Sequence, residues 1–229
     1  MVCPRTRVVD YRDAPVTHFV SLLDPDEVGK ELPVPRAADR KLQLVFSDLD
    51  DIEMKLPKFK NYTAPTTDDV AKMVEFGRTL SHIDDWGLLA HCEAGISRST
   101  AAAITMLTAA GYPPDMSFDL VRHVCPEMLP NRRILRLADG MLGTGGYLHQ
   151  IAETHRKEMF QLAGYEDPTN VLWSEFLAEQ SRPKSIFDRL IRFLPGSWRN
   201  MVGSGARQRA ALEKKGSKPG PKGPVPRAV

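Results

Sequence analysis

Cysteine is scarce. Cys3, Cys92 and Cys125 are the only three in 229 residues. They are too few and too scattered for a disulfide framework or a zinc site. A reducing, cytoplasmic setting is therefore expected, in which a single thiol is free to react. His18, His82, His123, His149 and His155 are equally dispersed. None shows metal spacing, and the last two, six apart, share a helix face poorly. Neither a metal nor a cofactor is expected. Long apolar runs are also missing. Nothing approaches the ~18–20 uninterrupted apolar residues that span a bilayer, and the charged start MVCPRTRVVDYRD lacks the apolar core of a secretory signal. Strong net charge is absent too, at +2, but that small value joins two unlike parts. Arg199 to Val229 hold eight basic residues and one acid, Glu213, whereas residues 1–198 hold 23 basic and 28 acidic ones. The basic tail has no aromatic residue on which a base would stack. It offers at most weak, salt-sensitive attraction to a polyanion or membrane surface, and no specific nucleic-acid site is expected.

What is present suits a folded body. At 42% hydrophobic residues the chain can bury a core, which excludes wholesale disorder. Val16–Leu23, Leu42–Phe46 and Trp86–Ala90 are short apolar, partly β-branched runs and read as buried strands. Residues 24–40 and 49–65, with their prolines and charges, read as loops; the second is long enough to be a lid or a substrate-selecting insertion. Thr66-Thr67-Asp68-Asp69 has the form of a capping box. Val70, Met73, Val74, Gly77 and Leu80 then form one helical face. The alanine-rich run 101–110, stopped by Gly111 and two prolines, and the segments 117–124, 132–142 and 147–162 also read as helices. Strands alternating with helices give an α/β class with a central, mostly parallel sheet flanked by helices. Residues 171–180 and 185–194 are two further predicted helices. The domain reading is a body over 1–165, a helical extension over 166–195 and a basic, disordered tail over 196–229.

One run carries chemistry: His91-Cys92-Glu93-Ala94-Gly95-Ile96-Ser97-Arg98-Ser99, placed between a strand and a helix. A chain turning there can curl the backbone N–H groups of Glu93–Ser97 around one centre. A helix N-terminus carrying roughly half a positive charge backs that centre, and such a nest binds anions. Gly95 supplies the backbone freedom the turn requires. Arg98 has a planar fork that grips two oxygens of a phosphate. Cys92 stands at the rim. Thiols beside cations or helix N-termini titrate well below the free value of about 8.5, so a nucleophilic thiolate is expected at neutral pH. The Ser99 hydroxyl can donate to that sulfur.

HCEAGISRS resembles the HCxxGxxR(S/T) signature of cysteine-dependent protein-tyrosine and dual-specificity phosphatases. The AGISRS form is most similar to the dual-specificity group. Ser21–Pro25, Leu42–Asp48 and Val121-Arg122 followed by Pro130-Asn131 occupy the order this family uses. The resemblance covers about residues 15–165 and is nearest to compact prokaryotic members. It implies a phosphatase fold with the phosphate-binding loop between a strand and a helix, a phosphocysteine on Cys92, and a general acid on a loop before the signature. Asp48 matches best, with Asp50 and Asp51 as alternatives. The interval from Asp48 to Cys92 is longer than in many small members. The resemblance also implies that His91 orients the loop and favours the thiolate, and that Asn131 braces the loop besides capping its helix.

Together these readings predict a phosphomonoester hydrolase that needs no metal, since loop amides and Arg98 supply the positive field. The loop lacks the basic residues that phosphoinositide and RNA 5′-end enzymes add, and carries Glu93. A phosphorylated protein is therefore the expected partner, phosphotyrosine ahead of phosphoserine or phosphothreonine. The alternatives are a phosphate-recognition module without turnover, or a scaffold whose tail binds a polyanion or membrane. Cys3, near a free end, reads as inert. Cys125 reads as a buried helix residue, with a reversible disulfide to Cys92 as a lesser alternative. Arg122 is an ion-pair partner or a bystander.

Overall fold

A computed structural model describes residues 1–30, 34–83 and 85–163. Four strands form one sheet: β1 (Val2–Pro4), β2 (His18–Leu23), β3 (Arg40–Val45) and β4 (Leu88–Cys92), in the order β1-β4-β2-β3. Every pairing is parallel, so the sheet is wholly rather than mostly parallel. Five helices follow: α1 (Thr67–Arg78), α2 (Arg98–Ala109), α3 (Pro114–Val124), α4 (Arg132–Leu142) and α5 (Tyr147–Leu162). The class is α/β. The predicted helices at 171–180 and 185–194, and the tail, lie outside the described residues.

Parallel pairing has a functional consequence, because all strands end on the same edge. β2 runs into Asp24, β3 into Phe46 and Asp48, and β4 ends at Cys92 itself. Three loops from neighbouring strands therefore converge, and the carboxyl ends of strands are where open α/β sheets bind ligands. The central strands β2 and β4 are buried at every position. This matches their unbroken apolar text. β3, at one border, starts with exposed Arg40 and Lys41, charges of the kind that discourage edge-to-edge pairing.

β1 is the element the sequence reading passed over. It is only three residues long, and its text is not a hydrophobic run. Val2, Cys3 and Pro4 pair with Ala90, His91 and Cys92. Cys3, close to the chain's start, is thus a buried strand residue. α3 begins at Pro114, three residues before the expected start. Pro114 occupies the first helical position, where the missing N–H is no loss.

α2 lies at the centre. It is buried from Arg98 through Leu107 and packs on β4 and on α1. Its alanines permit close approach: a Cβ on Gly77 of α1 would lie 2.6 Å from the Met106 Cα. Thr66 caps α1 with a complete capping box to Asp69. Val70 and Met73 of that helix, and Leu80 just beyond it, are buried in a core shared with Leu22, Phe46 and Ile104, and Val74 is buried as well. Burying each such side chain contributes about 1.5–3 kcal/mol. Among the described residues no helix is long and apolar enough to cross a membrane.

Candidate active site

Residues 93–97 leave β4 and enter α2 as a tight loop. Its carbonyls face outward, where neighbouring donors hold them. Arg5 N–H donates to Glu93 O at 3.4 Å, Leu129 N–H to Ile96 O at 2.8 Å and Asn131 N–H to Ser97 O at 3.3 Å. Thr100 Oγ1 is 2.8 Å from both Ile96 O and Ser97 O, and the Cys125 thiol lies 3.7 Å from Gly95 O. Across a trans peptide, a carbonyl and the next N–H point in opposite directions. Outward carbonyls at 93, 95, 96 and 97 therefore turn the N–H groups of Ala94, Ile96, Ser97 and Arg98 inward. This is the geometry of an anion nest.

Gly95 makes the turn possible. Its φ is +77°, and a Cβ there would sit 2.3 Å from the Pro4 N and 2.5 Å from the Cys3 carbonyl carbon. β1 thus presses against the back of the loop. Ser97 holds the N-cap position of α2, yet its side chain does not cap. Its hydroxyl donates to Asp48 Oδ1 at 2.8 Å, which leaves the helix N-terminus open to an anion.

The Cys92 side chain is 1% exposed. Gly95 N–H donates to its Sγ at 3.2 Å, and Ser99 Oγ lies 3.3 Å from the same sulfur. Both partners can donate to a thiolate. Arg98, 3% exposed, is held at both ends of its guanidinium: Nη1 donates to Phe46 O at 2.8 Å and Nη2 to Asp24 Oδ2 at 2.7 Å. Its Nε is buried without a hydrogen-bond partner. Burial works against the Arg98 charge, but Asp48, Cys92 and Asp24 outweigh it and raise its pKa.

The three candidate acids separate cleanly. Asp48 Oδ1 accepts from Ser97 and from Asn131 Nδ2, each at 2.8 Å, and Oδ2 lies 3.9 Å from Arg98 Nε. Asp50 is bound by Arg132 and accepts from the Ile52 and Glu53 N–H groups. Asp51 is bound by Arg133 and Arg136. Burial raises the Asp51 pKa, but Arg136 and Arg133 more than offset it and hold the carboxyl below the usual range. Only Asp48 of the three touches the loop. Asn131 also caps α4 through its Oδ1, 3.1 Å from the Ile134 N–H. The start of the insertion after Asp48 is tied to α4 through Asp50 and Asp51.

His91 does not supply positive charge. Burial, then Arg5 and Arg98, push its pKa down to about 4, so it is neutral at pH 7. Its ring bonds Ser21 on β2 and stacks on Phe19, which ties the end of β4, where the loop begins, to the neighbouring strand. Cys3, with its pKa pushed up to about 12 by burial and then by Cys92, stays protonated. Cys125 follows the last residue of α3, and burial also raises its pKa. All three cysteines are free thiols. Arg122 pairs with Asp119 on the surface. A groove of about 290 Å³ between α3 and α5, with Phe118, Tyr147 and Ile151 in its walls, holds none of the loop residues. Among the described residues no group of three His, Cys, Asp or Glu could hold a metal.

Two contributors escaped the sequence reading. Asp24 reads there as a strand stop before Pro25 and Ser21 as part of a strand, and both fall in the Ser21–Pro25 stretch that carries the resemblance, with no role assigned to either. Neither carries a local signal, since each acts through a residue about 70 positions away.

No family model matches the chain, and no curated protein does. Solved structures similar to it include the human tyrosine phosphatase-like serine/threonine/tyrosine-interacting protein, at 18% identity and a TM-score of 0.46 over 63% of this chain and 91% of that one. Tk-PTP in its active form is similar at 15% identity and a TM-score of 0.44, over 62% and 88%. Human DUSP28 is similar at 14% identity and a TM-score of 0.41, over 63% and 87%.

Proposed function

We propose that this protein hydrolyses phosphomonoesters through a phosphocysteine on Cys92. The observation that carries the proposal is the convergence on one sulfur. A loop N–H and the Ser99 hydroxyl meet Cys92 Sγ inside a ring of inward N–H groups, with Arg98 held alongside. In the first step the thiolate attacks phosphorus. The P–S bond forms, the P–O bond to the leaving group breaks, and Asp48 delivers a proton to the departing oxygen. Ala94, Ile96, Ser97 and Arg98 N–H groups and the Arg98 fork hold the equatorial oxygens. In the second step water attacks phosphorus and gives its proton to Asp48. The P–S bond breaks, inorganic phosphate leaves, and Ser99 donates to the returning thiolate.

The preferred substrate is a phosphoprotein, phosphotyrosine ahead of phosphoserine and phosphothreonine. The loop adds no basic side chain for a second phosphate and carries Glu93.

The test is steady-state and rapid-quench turnover of p-nitrophenyl phosphate and of phosphopeptides. Cys92→Ser is expected to abolish turnover. Asp48→Asn is expected to lower kcat by about 10²–10⁴ on poor leaving groups, whereas Asp50→Asn and Asp51→Asn change it far less. Full turnover by Cys92→Ser refutes the mechanism. Tight oxyanion binding without a product burst in the wild type would make the chain a recognition module.

A further inference from the structure

We propose that Asp24 is a positioning residue that aims Arg98 into the loop and keeps it off Asp48; the proposal rests on the function just argued. Asp24 follows the last residue of β2 and precedes the short turn Pro25–Glu27. An aspartate there ordinarily caps the turn, but this side chain makes no capping bond. It reaches instead to Arg98 Nη2, at 2.7 Å. From the next strand, Phe46 O takes Nη1 at 2.8 Å. Leu23 and Val45, the residues before these two anchors, are register partners in the sheet. The guanidinium is thereby strung between the adjacent ends of β2 and β3, and its plane is fixed by two bonds.

The bookkeeping of protons shows why this suits catalysis. Each Nη carries two hydrogens. Asp24 uses one of those on Nη2 and leaves the other, and Nε has no hydrogen-bond partner. The Nε–Nη2 side of the fork can grip two phosphoryl oxygens while Asp24 remains bound. Asp24 therefore orients the fork without competing for it.

The second consequence concerns the acid. Asp48 Oδ2 stands 3.9 Å from Arg98 Nε, too far for a hydrogen bond and close enough to become one. With Asp24 removed, the strongest remaining anionic partner for the guanidinium is Asp48. A direct bond would favour the Asp48 carboxylate and weaken it as an acid. Asp48 faces Arg98 from α2. Across a small cavity it also faces Arg132 of α4, Arg156 of α5 and, from its own segment, Asp50 and Glu53.

The experiment compares Asp24→Ala, Asp24→Ser and Asp24→Asn in the full chain. Tungstate binding is read by calorimetry, and the pH profile of kcat/KM by turnover of p-nitrophenyl phosphate. Ala, or Ser if the Ala variant does not fold, is expected to weaken tungstate binding about tenfold. It should also move the basic limb of the profile to lower pH by about half a unit or more. Asn, which keeps an acceptor at the same reach, should recover most of both effects. Unchanged tungstate affinity, an unmoved limb, or an Asn variant as impaired as Ala overturns the proposal. Calorimetry needs no turnover. A wild type that binds tungstate but hydrolyses nothing defeats the hydrolase reading alone, while the affinity comparison still judges Asp24.

Discussion

His91 shows how much a single residue's role depends on its surroundings. Beside the cysteine it is fully buried and close to Arg5 and Arg98, and its pKa falls to about 4. Below pH 6.5 the unfolded chain takes up a proton on this histidine and the folded one does not, so stability is complete above that pH and declines as pH falls toward about 4. The expected loss is about 2 kcal/mol by pH 5. It is checked by urea unfolding at pH 7 and pH 5, with His91→Asn showing a shallower pH dependence than the wild type. Asp48 is the opposite case. Its hydrogen-bond donors, Ser97 and Asn131, are uncharged, Arg98 Nε stands 3.9 Å away, and its place on the loop rests on these three contacts rather than on its distance to Phe46 along the chain. The sequence left three acids open; the arginines at 132, 133 and 136 withdraw two of them into ion pairs.

At the scale of elements, local text and observed structure agree where the signal is local. Thr66 and Asp69 lie three apart and close their capping box. Thr66→Ala is expected to cost about 1 kcal/mol, measured as a lowered denaturation midpoint with turnover on aryl phosphate retained. Asn131 likewise starts α4 as its position before a helical run predicts. The agreement fails at β1, because three residues carry no period to read. Its importance lies in tertiary contact, where Cys3 and Pro4 fill the space that a side chain at Gly95 would need. Gly95→Ala combines a positive φ with a backbone collision, so it is expected to displace the loop. Loss of tungstate binding together with a lower melting temperature would support this. Retained binding would show that β1 can yield.

At the scale of the whole molecule, the ion pairs that hold the acid's segment span distant parts of the chain. Arg132 on α4 binds Asp50 in the insertion and Glu153 on α5, the latter at 2.9 Å, while Arg156 of α5 lies 4.6 Å over the Phe160 ring. Asp50 is only 5% exposed. Arg132→Met strands that carboxylate without its partner and is expected to cost about 3–5 kcal/mol. The double variant Arg132→Met/Asp50→Asn should recover a large part of it. Equal losses in the single and double variants, measured by chemical denaturation, would show that the pair's charge is not what matters.

The chain's own text determined the α/β class, the boundaries of α1, α4 and α5 to within a residue or two, and the candidate nucleophile, arginine and loop. These depend on periodicity, caps and a contiguous nine-residue run, all of which are short-range properties. Tertiary structure decided which aspartate meets the loop, that His91 is neutral, that β1 backs Gly95, and that Asp24 holds Arg98. Each of those joins residues tens of positions apart, brought together because parallel strands deliver their C-terminal ends to one edge. The overall charge of +2 gave no hint of that edge, since its field comes from aligned backbone amides, a helix end and one buried guanidinium between two carboxylates.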